Sequence, residues 1–253
     1  MRLYIMKLVM NEIELVEDLI EKKGLGYDMT RQVPTYLAKY YFHQGYNRKD
    51  VYDKINMFML ANCPGYNAVL CREMVDKSIS YAEKHPIVCV DGISVTENEI
   101  EKICALPAKR MRRVMFAYLC IAKFNYLVNE KTNYWVGTDD KDVFRLADVK
   151  LSEYNRDLML HELHKLGYLG FSRAIDNLNV QVLIVDNEST PVLFVKSFDD
   201  IGAQWEMFCG ESYVPCVRCG KYIKKTGNRK KYCHKCARLV NIEKTTERKS
   251  KKV

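Results

Sequence analysis

Over the first ninety residues, apolar positions recur at helical spacing in four stretches: Asn11–Lys23, Thr30–Gln44, Arg48–Ala61 and Asn67–Glu83. Gly24, Gly45, Pro64-Gly65 and Pro86 punctuate them, so the pattern predicts four helices. Thr96-Glu97-Asn98-Glu99 then reads as a capping box that opens a short helix through Cys104. From Ala108 to Leu127 a longer helix is expected, carrying Met111, Val114, Met115, Tyr118, Leu119, Ala122 and Tyr126 at helical intervals. A polar loop follows. Asp142–Ala147 and Ser152–Leu166 predict a short helix and a longer one, the latter ended by Gly167. Phe171–Arg173 and Val180–Val185 read as strands around the turn at Asp176-Asn177-Leu178-Asn179, with a further strand at Val192–Val195.

Helix, short helix, longer helix and hairpin is the order of a winged helix-turn-helix, whose third helix enters the major groove in DNA-binding versions. Arg156, His161, His164 and Lys165 are the candidates for the exposed face of that helix, and Arg173 belongs to the hairpin. Asp157 and Glu162 share the helix, which makes it a poor phosphate surface. The expected fold class is α+β and predominantly helical. Its three parts are a helical N-terminal domain over 1–95, a winged-helix-like domain over 96–205, and a zinc finger with a basic helix over 206–253.

Tyrosines are dense in the first part, at Tyr27, Tyr36, Tyr40, Tyr41, Tyr46, Tyr52, Tyr66 and Tyr81. A core that uses tyrosine as its large residue is one reading. A base-stacking surface of Tyr40, Tyr41, Lys39 and Arg48 is the other. The longest apolar run, Val114 to Ala122, is about half a membrane span. Lys7 interrupts the apolar N-terminus, so a cytoplasmic protein with no membrane partner is expected.

Charge is distributed unevenly. The net charge is +8, yet the segment from Cys216 onward has 14 basic residues against Glu243 and Glu247. A mildly acidic body therefore carries a strongly basic tail, the composition of an arm that binds polyanions such as DNA or RNA. Lys221, Lys224, Lys225, Arg229, Lys230, Lys231, Lys235, Arg238, Lys244 and Arg248 are the candidate phosphate contacts there, joined by Arg156 and Arg173 from the middle of the chain.

Four of the ten cysteines fall in the same tail as two CxxC pairs, Cys216/Cys219 and Cys233/Cys236. Paired thiolates at that separation are a zinc signature, and four of them close the coordination sphere, which makes the site structural. His234 is the alternative ligand. Lys221–Lys225 and Arg229–Tyr232 read as strands around Thr226-Gly227-Asn228, and His234–Lys252 reads as a helix whose N-terminus favours thiolate. Knuckle, hairpin and helix make a treble-clef-like finger. Cys63, Cys71, Cys89, Cys104, Cys120 and Cys209 are expected to be buried small hydrophobes in a reducing compartment.

The segment Val217–Ala237, with its CxxC…YCxxCA pattern, resembles the zinc-ribbon tails of proteins encoded by phages and integrative elements of Gram-positive bacteria. Ala105–Val195 is similar to the central part of such proteins. The resemblance implies a mobile-element origin and binding of nucleic acid or of a host factor, with no reaction attached. No Walker loop, dinucleotide fingerprint, serine elbow or zinc-protease helix is present, and His161–His164 lacks the i, i+4 histidines of the last. A non-enzymatic nucleic-acid-binding protein with no small-molecule substrate is therefore expected. The alternatives are an anti-CRISPR-like protein that inhibits a host defence nuclease or ribonucleoprotein, and a metal-dependent nuclease using Asp139, Asp140 or Asp142.

Overall fold

The computed structural model describes residues 8–24, 32–172, 179–227 and 230–250, with side chains to residue 246. Arg173, Arg229 and the Asp176–Leu178 turn lie outside these residues, as does the side chain of Arg248. The chain is α+β and mostly helical, and it divides into two compact units, Lys7–Asp91 and Gly92–Val253. The stretches 96–205 and 206–253 thus belong to one unit.

The first unit contains α1 (Glu12–Glu21), α2 (Gln32–His43), α3 (Arg48–Asn62) and α4 (Arg72–Ala82), the four predicted helices with trimmed ends. Asn11 starts α1 by accepting the amides of Ile13 and Glu14 at 3.1 Å, and Asn47 starts α3 in the same way. Val16, Leu19, Leu37, Val51, Ile55, Met59, Val75 and Ile79 close the core, with Tyr36, Tyr40, Tyr41, Tyr52 and Tyr66 packed against it. Two members of the proposed base-stacking set are engaged within the unit. Lys39 is buried and bonds both oxygens of Glu12 at 2.8 and 3.0 Å, while Arg48 is held by Glu83 at 2.6 Å.

The second unit is built around α6. Its elements are β1 (Ile93–Thr96), α5 (Glu97–Ala105), α6 (Lys109–Val128), β2 (Trp135–Val136), α7 (Asp140–Leu146), α8 (Glu153–Lys165), β3 (Leu169–Phe171), β4 (Val180–Val182), β5 (Pro191–Val195), α9 (Ile201–Phe208), β6 (Tyr213–Pro215), β7 (Tyr222–Lys224) and α10 (His234–Ser250). Every residue of α6 from Val114 to Phe124 is buried, so the helix is surrounded on all sides and the long apolar run is core. The charge within it, Lys123, is neutralised by Glu99 at 2.9 and 3.0 Å. Glu99 also accepts the amides of Thr96 and Asp186, so the capping-box carboxylate doubles as a buried counterion.

Two small sheets differ from expectation. β5, expected as a further strand, pairs antiparallel with β1, Ile93 opposite Val195, a strand that the sequence pattern does not predict. The hairpin strands gain β2, giving the order β2-β4-β3 with all pairs antiparallel. β2 lies in the stretch read as a polar loop. α9, also unpredicted, buries Trp205 against Phe116, and Gly202 is required where the helix meets the carbonyl of Ala147. Of the six other cysteines Cys120 is buried, whereas Cys89, Cys104 and Cys209 are exposed, contrary to expectation. Among the described residues no helix is long and apolar enough to cross a membrane.

Candidate metal centre

The first cysteine pair sits on a turn between two paired strands. β6 and β7 run antiparallel with Val214 opposite Ile223 and Pro215 opposite Tyr222. Across the turn, the Cys216 amide donates to the Lys221 carbonyl at 2.8 Å and the Gly220 amide to the Cys216 carbonyl at 2.9 Å. Gly220 has φ +72°, a left-handed conformation that glycine adopts without strain. The chain then returns so that the Val217 amide bonds the Lys231 carbonyl at 3.0 Å and the Cys233 amide points at the Cys216 sulfur at 3.3 Å. β7 thus pairs with β6 around the first CxxC; of the second strand expected at Arg229–Tyr232, residues 230–232 form no strand, and Asn228 and Arg229 lie outside the described residues. The second pair lies where expected. Cys233 immediately precedes α10, and Cys236 occupies its first turn.

The four ligand atoms lie within 4.8 Å of one another, and Cys219 and Cys233 sulfurs are 3.8 Å apart. A tetrahedral zinc with sulfur at about 2.3 Å requires sulfur–sulfur distances of about 3.8 Å. These cysteines can hold a metal ion, and their donor set suits zinc. The amide of Cys233 favours the thiolate of Cys216 and brings its pKa down to about 6, whereas burial and the adjacent sulfurs push Cys236 up to about 12. Four sulfurs this close resist simultaneous ionisation unless a cation joins them.

A polar network attaches this hairpin to α9. The Tyr222 amide donates to Asp200 at 2.6 Å, the Tyr213 hydroxyl bonds Glu206, and Lys224 meets Glu211 at 2.9 Å. Arg113 completes it by bonding Glu206 at 3.2 Å and the carbonyls of Ala147 and Asp148 at 2.8 Å each. Nothing in the sequence reading found α9 or this anchorage, because its acids are scattered over Asp200, Glu206 and Glu211.

The candidate phosphate contacts separate into two groups. Lys221 faces Asp200 at 3.5 Å, Lys224 is engaged by Glu211, and Arg156 is tucked in, bonding Asp140 at 2.6 Å with its side chain 14% exposed. The Lys224 hydrogen bond holds the Glu211 carboxyl below the usual range. By contrast Lys225, Lys230, Lys231, Lys235, Arg238 and Lys244 are exposed, and none has an ion-pair partner among the described residues. Arg218, absent from the candidates, is tied to Glu243 at 2.8 Å.

The other predicted chemistries find structural uses. Asp139 caps α7 through the Lys141 amide, Asp140 pairs with Arg156, and Asp142 approaches Arg145 at 3.4 Å. His164 bonds the Leu169 carbonyl at 2.8 Å and lies against Phe171. No known protein family, curated protein or solved structure matches this chain.

Proposed function

We propose that this chain is a non-enzymatic nucleic-acid-binding protein of phage or mobile-element origin, acting in the host cytoplasm. In this reading zinc on Cys216, Cys219, Cys233 and Cys236 stiffens a treble-clef-like module, and the module holds a cationic surface in fixed shape. The observation that carries it is the set of six exposed cations, without acidic partners among the described residues, in the same segment as the four-sulfur cluster. Lys221 and Lys224 drop out of the phosphate surface and serve as anchors. Supporting the winged-helix part are the element order from α6 to β4 and the three-stranded sheet in which the strand before the helix pair joins the wing. With Arg156 turned inward, that part contributes placement more than charge.

The expected chemistry is counterion release. If six cations meet duplex phosphates, log affinity plotted against log salt falls with a slope near about −5. Binding of the zinc-loaded full chain to a labelled duplex, measured by anisotropy from low to moderate salt, tests this. The triple variants Lys225→Ala/Lys230→Ala/Lys231→Ala and Lys235→Ala/Arg238→Ala/Lys244→Ala should each reduce the slope by about half. An unchanged slope in both removes the tail from the mechanism. Absence of binding to either DNA or RNA would favour the host-inhibitor reading.

A further inference from the structure

In the winged-helix reading α8 is the groove-reading helix, yet acids and large apolar side chains share its outer face with His161 and Lys165. Tyr154 and Leu158 stand 71% and 50% exposed one turn apart, and Asp157 and Glu162 flank them, also exposed. Glu153 adds a third acid in the first turn, and Lys165 at the far end is the one exposed lysine of the helix. Large apolar side chains rimmed by acids form a docking surface for something both apolar and basic.

The chain itself carries that complement. On α10, Leu239 and Ile242 are 40% and 53% exposed, and Lys235 and Arg238 lie beside them without acidic partners among the described residues. At about 1.5 Å per residue, α8 spans about 20 Å and α10 about 26 Å, so one helix can lie along the other over its whole length.

We infer that the outer face of α8 receives α10 from a second copy of this chain. In that contact Leu239 and Ile242 cover Tyr154 and Leu158, while Lys235 and Arg238 meet Asp157 and Glu162. The two surfaces are different, so the contact is head-to-tail: each copy joined at α8 leaves its own α10 free, and assembly continues until a ring closes. Lys235 and Arg238 also belong to the proposed phosphate surface, so a polyanion and a second copy compete for α10. The self-association does not depend on the nucleic-acid reading and is measured in its absence.

Light scattering on the zinc-loaded full chain tests it. At low salt the mass should rise above the 29.6 kDa of one chain as concentration increases, and it should fall back at 0.5 M salt as the ion pairs are screened. Leu158→Glu and Ile242→Glu, both at exposed positions, should each stay monomeric. Mixed one to one they retain one intact pair of faces, so the mixture should form a dimer and nothing larger. Asp157→Lys provides a second α8 variant with the hydrophobic surface intact, and it should also lose assembly. A wild-type protein that stays monomeric at low salt overturns the inference, and so does a mixture that fails to dimerise. The first outcome leaves α8 to a foreign protein, the second points to a symmetric contact elsewhere, and neither changes the salt slope that tests nucleic-acid binding.

Discussion

The helical unit of Lys7–Asp91 and the module from Tyr213 onward reach order by different routes. The first buries eleven apolar residues in one cluster, from Val16 to Ala82, and rings it with tyrosines. In the second, Cys216, Ile223 and Cys236 are the buried side chains among the described residues, and two of those three are candidate ligands. Burying apolar surface is the dominant favourable term in folding, so a segment with one buried aliphatic side chain must draw stability from elsewhere. A metal ion held by the four clustered sulfurs would supply it, beside the polar contacts to Asp200, Glu206 and Glu211. The contrast teaches that a cation-bearing surface need not sit on an apolar core where clustered sulfurs offer a metal ion the means to hold the backbone.

Metal removal should break this comparison most sharply. Apparent folding energies of structural zinc are of order 10 kcal/mol, so without it the hairpin would be left to its ladder and the polar contacts to Asp200, Glu206 and Glu211. A strong chelator, or Cys236→Ser, should expose the amides of Val214 and Ile223 to hydrogen exchange. The amides of Leu19, Leu37 and Ile55 should remain protected under the same conditions. Metal analysis of protein purified without chelator should give one zinc per chain. Equal loss of protection in both regions would mean that the helical unit also depends on the ion.

These two routes were unequally legible in the sequence. The helices of the first unit announce themselves through spacing, Asn caps and glycine punctuation, all of which act within a few residues. The cysteine spacing likewise names its ligands, since a tetrahedral ion accepts few arrangements of two close pairs. What could not be read depends on contacts distant in sequence. β1 and β2 are strands because Val195 and Val180 lie opposite them, and four- and two-residue segments carry no period of their own. Lys221 and Arg156 look like phosphate ligands until Asp200 and Asp140 arrive from elsewhere in the chain. Counting charges gave the sign of the tail but not which cations are already spent.

The next largest effect lies within the helical unit. Glu12 accepts Lys39 and also the Val88 amide at 2.8 Å, so Glu12→Ala leaves a buried ammonium and an amide without acceptors. Breaking a buried pair from one side costs about 3–5 kcal/mol. Denaturant unfolding should show that loss whether or not zinc is present. The double variant Glu12→Gln/Lys39→Met should recover most of it, because no buried charge remains. A loss that appears only in metal-free protein would erase the distinction between the two regions.

The smallest effect should come from the Arg218–Glu243 pair, which joins the first knuckle to α10 through two bonds at 2.8 and 2.9 Å. Geometry alone would make it a clasp on the metal site. Solvent argues otherwise, since both side chains are substantially exposed and water screens their attraction. Arg218→Ala should therefore shift zinc affinity by less than about fivefold. The pH response sharpens the point. The Arg218 hydrogen bond lowers the Glu243 carboxyl, so whatever the pair adds is present above the ordinary carboxylate range and is lost only as pH falls through that lowered value. Metal release on acidification is driven by protonation of the thiolates themselves, since a ligand must lose its proton to bind. Competition titrations across pH should then give wild type and Arg218→Ala the same midpoint of zinc loss. A variant that releases zinc at distinctly higher pH would show that the clasp, and not coordination by sulfur alone, holds α10 against the knuckle.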